Sequence, residues 1–339
     1  MKALPPVASL LMLTLAPCIS AGAQTSSVLR ISQTIMLPGV SGGFDHFAYD
    51  SQRKRLFLAA SDHGSVEVID LNLGQRVRSI SGFKNPHSIL FRPGAPSFLV
   101  TDSGPGASAL VDTVALKKTR FLKLALGANC VLFDPERKAV YVTAGGDRVG
   151  ETTSTLEAVN SDTGDVLRSV QVAALHLQPM ALDSRTGRLF VNLADQNAIG
   201  IYDPNTLARI GTWHLPRGSR NSPIAFDPEK RRLFVVASDP GILLELDGDS
   251  GVLRSSVSTP SNPDDMAFDP ATRRVYVPGN GALSVYDVSV SGRIKLIEEV
   301  KTGTDARTGI LFASATRYAV AVPAVGNNDA RILIFDIKR

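Results

Sequence analysis

One phrase recurs seven times along this 339-residue chain. An apolar run closes on Phe-Asp or a near variant, a short turn rich in proline and basic residues follows, and a second apolar run begins. The clear copies are FAYDSQRKRLFLA, VLFDPERKAVYVT, MALDSRTGRLFVN, IAFDPEKRRLFVV and MAFDPATRRVYVP, and the degenerate ones are ILFRPGAPSFLVT and ILFASATRYAVAV. Aligned on the aspartate they fall at Asp50, Arg92, Asp134, Asp183, Asp227, Asp269 and Ala313, in steps of 42, 42, 49, 44, 42 and 44 residues. A fixed period of this length marks a repeat architecture, in which no unit can bury its apolar face alone. Four strands of about 5–6 residues with short connections fill roughly 40 residues. The spacing predicts one four-stranded antiparallel blade per repeat, and hence an all-β, seven-bladed β-propeller spanning residues 24–339.

Within a repeat the strands can be assigned. In the fifth, the inner strand is Ile224-Ala225-Phe226, the second runs Leu233–Ala237, the third Ile242–Leu246 and the outer one Val252–Val257. Aspartate and proline suit the first turn, because Asp accepts from its own backbone two residues on and Pro presets φ. The alternation in Ser65-Val66-Glu67-Val68-Ile69-Asp70 is that of a half-buried strand. The last repeat supplies only three strands before Arg339, whereas Val28–Leu37 has strand character and precedes the first full repeat. Pairing the two would close the ring and remove an exposed sheet edge. The long step comes from a polar, glycine-containing insertion, Gly145–Thr155, in the third repeat.

The segments VYVTAGGD, RLFVNLADQNAIGIYDPNTLARIGTW and RVYVPGNGALSVYDV resemble the YVTN-type β-propeller repeat, and the resemblance covers most of the chain beyond its leader. It implies the propeller fold and an exported bacterial protein. It implies no catalytic residue, because the motif positions belong to the second strand. The second and seventh repeats depart from the pattern by lacking the aspartate.

The N-terminus reads as a signal peptide over residues 1–23. Lys2 is its positive region and Val7–Ala16 is apolar but too short for a bilayer, which needs roughly 20 residues. Ala21-Gly22-Ala23 is a small-x-small cleavage site, so the mature chain would begin near Gln24 and reside in the periplasm or outside the cell. No other segment is apolar enough to span a membrane. Without Lys2 the chain carries 35 basic and 32 acidic residues, a balance too mild to argue for nucleic acid. Only Cys130 would remain beyond the leader, which excludes an internal disulfide, and its setting, Asn-Cys-Val-Leu-Phe, reads as a small buried hydrophobe. The mature chain is read as a monomer.

In a propeller of this order, the loops that enter each inner strand gather at one mouth of the central channel. They carry Asp45, His46, His87, Asn129, Gln178, Ser222, Asp264, Asp265 and Arg307, which are the candidate ligand-binding residues. Convergent polar groups in a concavity are the default binding site, for a small molecule or a protein partner. His46 and His87 with Asp264 would be the set for a divalent metal, and a metal-assisted hydrolase or lyase using the same residues is the alternative function. Asp264 and Asp265 should point to opposite faces if they lie on a strand, so a carboxylate dyad from this pair alone is not expected. The loops after the second strand add His63, Asp102, Asp147, Arg148, Asp195, Asp239, Asn280, Asn328 and Asp329 to the same face. His176 and His214 have no evident partner. The opposite face carries basic turns at Arg53–Arg55, Arg137, Lys138, Lys230–Arg232, Arg273 and Arg274, which could attract an acidic partner. The chain has no P-loop, HExxH, CxxC or GxSxG.

Overall fold

In the computed structural model, residues 1–2, 27–92 and 94–338 are described. Most of the expected leader, including Cys18 and the cleavage site, lies outside them. Among the described residues, 28 strands form seven four-stranded antiparallel sheets, and the protein is a seven-bladed β-propeller. The first blade shows the pattern, with strands Phe47–Asp50, Arg55–Ala60, Ser65–Asp70 and Gln75–Ile80 from the axis outward.

Turn chemistry builds each blade. The repeat aspartate accepts the backbone N–H groups two and three residues on: Asp50 Oδ1 takes Gln52 and Arg53 at 3.0 and 3.1 Å, and Asp134 Oδ1 takes Glu136 and Arg137 at the same distances. This is the Asx turn expected of an aspartate before a hairpin. The turn ends on a left-handed residue four positions after the aspartate, for example Lys54, Lys138, Arg231 and Arg273. A second Asx turn joins the outer two strands, as at Asp70, Asp203 and Asp247.

The ring closes as the sequence suggests. Leu29–Leu37 pairs antiparallel with Ala330–Ile337, and so forms the outer strand of the seventh blade. Apolar side chains fill the space between neighbouring blades all the way round. The seventh meets the first through Ile35, Leu37, Phe44, Phe312 and Ile332, and the sixth meets the seventh through Tyr276, Leu283, Tyr318 and Phe335. Outer strands are mostly exposed, with a few partly buried positions, which suits the rim of a wheel.

Several arginines of the basic turns are paired with acids. Arg53 and Arg137 each pair with their own repeat aspartate, at 3.0 and 2.9 Å. Arg231 reaches back 2.8 Å to Asp183 of the preceding blade, and Arg273 reaches Asp227 in the same way. Arg232 is fully buried between Asp227 and Glu245. In these turns Arg231 and Arg273 staple neighbouring blades together, Arg53, Arg137 and Arg232 are paired within their own blade, and Lys54, Lys138 and Lys230 remain exposed. Among the described residues, no helix is long and apolar enough to cross a membrane.

Candidate functional site at the channel mouth

The inner strands carry an irregularity that decides the site. In the first blade Asp45 N donates to Ala59 O at 2.9 Å while Ala59 N donates to His46 O at 3.2 Å, so two residues oppose one. The third blade repeats this with Asn129, Cys130 and Thr143, at 2.8 and 3.0 Å. Register shifts fall at the same place in the second, fourth and fifth blades. A bulge of this kind re-aims side chains that strict alternation would send to opposite faces. Successive residues therefore both reach the channel.

Counted back five residues from the repeat position, the blades contribute Asp45, His87, Asn129, Gln178, Ser222, Asp264 and Thr308. The first six line one cavity of about 590 Å³ at the mouth, and Arg307 joins them from the seventh blade. Counted back four, they contribute His46, Ser88, Cys130, Pro179, Pro223, Asp265 and Gly309, all lining a second chamber of about 720 Å³ below. His46 and Asp264 border both spaces. Eight of the nine residues picked from sequence thus line the mouth, and Asp265 lines the chamber beneath.

At the two register positions that face the channel, charge falls on neighbouring blades of one arc. His46 Nδ1 lies 2.7 Å from Asp265 Oδ1, and its Nε2 lies 3.2 Å from Asp45 Oδ1. Asp45 Oδ2 also holds His87 Nδ1 at 2.5 Å. Arg307 Nε bonds Asp264 Oδ2 at 2.8 Å, and Asp265 accepts Gly309 N at 2.9 Å. Burial by itself would strip His46 of its proton, but the Asp45 and Asp265 carboxylates outweigh it and raise its pKa well above the ordinary value. Burial works against the Asp45 charge too, yet His46 and His87 hold its carboxyl far below the usual range. Asp264 goes the other way: burial pushes it up to about 7 despite Arg307. Across the ring, Asn129, Gln178 and Ser222 offer only neutral amide and hydroxyl groups, with Ser222 Oγ donating to Gln178 Oε1 at 3.3 Å.

This geometry does not support a metal at His46, His87 and Asp264. A cation needs an imidazole lone pair, whereas His46 spends both ring nitrogens on carboxylates and favours its protonated form. Among the described residues no group of three or more His, Cys, Asp or Glu side chains is arranged to hold a metal ion. The expectation for Asp264 and Asp265 also changes. Both precede the inner strand, which begins at Ala267, so alternation does not govern them, and they reach different partners, Arg307 and His46.

Sequence reasoning missed part of the rim. His176, read as partnerless, lies 2.9 Å (Nδ1) from Asp147 and accepts at Nε2 from Arg148 Nε at 2.8 Å. Burial and Arg148 lower its pKa, consistent with a neutral ring that donates to Asp147 and accepts from Arg148. Asp147 and Arg148 come from the third-blade insertion, which leans over the mouth toward its neighbour. The neighbouring blades add Asp195 and Arg220 to the lining. The signal for His176 was its position: it lies seven residues before Asp183, as Asn85 lies before Arg92. Compared with known proteins, the chain matches no family model and no curated protein, so the site is read from its own geometry.

Proposed function

We propose that the protein is an exported propeller of the YVTN-repeat type that works as a binding module, holding a small polar ligand at its channel mouth. One observation carries this reading: six equivalent positions, about 42 residues apart in sequence, converge as polar side chains on a single cavity of about 590 Å³. The charged arc would fix an ionic group, and the Asn129, Gln178 and Ser222 arc would recognise neutral polar ones. A screen of small polar metabolites by thermal shift tests it. A ligand at a hundred times its Kd should stabilise the fold by about 2.7 kcal/mol. Asn129→Leu and Gln178→Leu should each weaken that ligand about 10-fold, the value of one lost hydrogen bond. A ligand indifferent to both substitutions binds elsewhere and contradicts the reading. Export is tested by the N-terminus of the chain recovered from its host, with Gln24 expected.

A hydrolase or lyase at the same mouth is favoured by a different observation. Burial pushes the Asp264 carboxyl up to about 7, while His46 and His87 hold the Asp45 carboxyl well below the usual range. Two carboxyl groups pushed apart in this way divide into acid and base. Turnover abolished by Asp264→Asn would favour this reading over simple binding.

A further inference from the structure

Acids and bases at the mouth are engaged unequally. Five aspartates line the cavity, and each already has a donor within the protein. Asp45 holds His46 and His87, Asp147 holds His176 and Asp264 holds Arg307, while Asp62 accepts Gly43 N and Asp195 accepts the N–H groups of Leu175 and His176. Three arginines line the same cavity: Arg148, Arg220 and Arg307, from the third, fifth and seventh blades. Arg148 spends only Nε, on His176 at 2.8 Å, and Arg307 spends only Nε, on Asp264 at 2.8 Å. Among the described residues, neither has a partner at its two terminal nitrogens, and Arg220 pairs with no acid. The charged donors that remain open at this mouth are therefore guanidinium groups.

The segments that carry these arginines are fixed in place. Arg220 has φ 57°, in the left-handed region that is unfavourable for a residue with a Cβ. Asn197 of the fourth blade holds it there, its Oδ1 accepting Arg220 N at 3.0 Å. The seventh blade repeats the device. Asp305 has φ 53°, Asn280 Oδ1 of the sixth blade accepts its N–H at 3.0 Å, and Arg307 N donates to Asp305 O at 2.9 Å. Arg148 lies in a single 3-10 turn, Asp147–Val149, closed by the left-handed Gly150. Strained backbone that a neighbouring element over-determines is a feature of ligand clamps. Arg148 and Arg220 both lower the pKa of His176, which places them on one side of the mouth, whereas Arg307 stands with Asp264. Asn129, Gln178 and Ser222 belong to the third, fourth and fifth blades and line the wall on the Arg148 and Arg220 side.

We propose that the mouth takes a small organic dianion with two carboxylate groups, one held by Arg148 and Arg220 and the other by Arg307. The inference rests on the reading of the mouth as a binding site and names what it binds. A guanidinium matches a carboxylate with two parallel N–H donors, and fixing Nε in advance lowers the ordering cost of that pairing. Hydroxyl groups between the two carboxylates would meet Asn129, Gln178 and Ser222.

Isothermal titration of the full chain tests this with succinate, adipate and galactarate. Adipamide is the neutral counterpart of adipate, and inorganic phosphate is an anion with a single centre. At least one diacid should bind one per chain, at least about 10-fold tighter than phosphate, and adipamide should not bind. Arg220→Gln and Arg307→Gln should each weaken that diacid about 10- to 100-fold, the loss of one charge-assisted pairing. Lys138→Gln, exposed on the opposite face, should leave it unchanged. The wild-type affinity should fall as sodium chloride is raised, a readout that needs no variant to fold. No diacid bound at about 10 mM, phosphate or adipamide bound as tightly as every diacid, or a diacid indifferent to both arginine substitutions would each overturn the proposal. Adipamide bound in place of the diacids and weakened by Asn129→Leu would overturn it while leaving the mouth a binding site. A diacid weakened by the arginine substitutions but not by Asn129→Leu or Gln178→Leu would uphold it and count against the neutral arc.

Discussion

A chain that lacks residues 27–37 is expected to lose cooperative folding. That segment supplies the outer strand of the seventh blade, and it carries Leu29, Ile35 and Leu37, which are 4%, 1% and 0% exposed. Burying one such side chain is worth about 1.5–3 kcal/mol, so the three together rival the roughly 5–15 kcal/mol by which a domain of this kind is stable. Truncation would also bare the edge of Ala330–Ile337, where a strand invites pairing with other chains. Thermal unfolding and the soluble fraction on expression check this. A peptide of residues 27–40 added in trans should restore part of the transition. A truncated chain that melts within a few degrees of the intact one would mean that the blade does not need this strand.

Arg232→Ala is expected to destabilise the fold by about 3–5 kcal/mol, the cost of breaking a buried ion pair from one side. Its guanidinium is fully buried, held by Asp227 at 2.9 and 3.0 Å, Glu245 at 3.3 Å and the Val288 carbonyl at 2.7 Å. Removing it leaves two buried carboxylates facing an emptied space. Arg273 still holds Asp227, but among the described residues Glu245 keeps only Gly292 N and Ser291 Oγ. Urea unfolding measures the loss. Arg232→Met isolates the charge from the volume and should recover a small part of it. A loss under about 1 kcal/mol for the alanine variant would show that water or Arg273 takes over the role.

These two residue groups show what a sequence can and cannot disclose about such a fold. The seven copies and the stray N-terminal strand were legible, because period and missing strand are properties of order along the chain. The partners of Arg231 and Arg273 were not. They are repeat aspartates 48 and 46 residues away, so a row of charges that is interior stapling reads as surface. The mouth was legible for the complementary reason: ring closure converts one register position into a circle of neighbours. The chamber below it was not, since the bulges at Asp45-His46 and Asn129-Cys130 break the alternation from which side-chain direction is inferred. Cys130 and Ser88 were hidden by that one extra residue per inner strand. His176 was hidden by an insertion whose direction no local pattern records.

The convergence of distant blades on one axis brings His46 and Asp265, 219 residues apart in sequence, into contact. Nuclear magnetic resonance titration of the His46 ring tests this directly. Its folded pKa is raised, so its contribution to stability is whole below about pH 6.5, the unfolded value, and is lost as pH climbs through the folded one. In a closed ring the His46 imidazole stays protonated well above pH 6.5, and Asp265→Asn brings its midpoint down toward that value. An ordinary midpoint near 6.5 in the wild-type chain, unmoved by Asp265→Asn, would contradict the shared axis and the site built upon it.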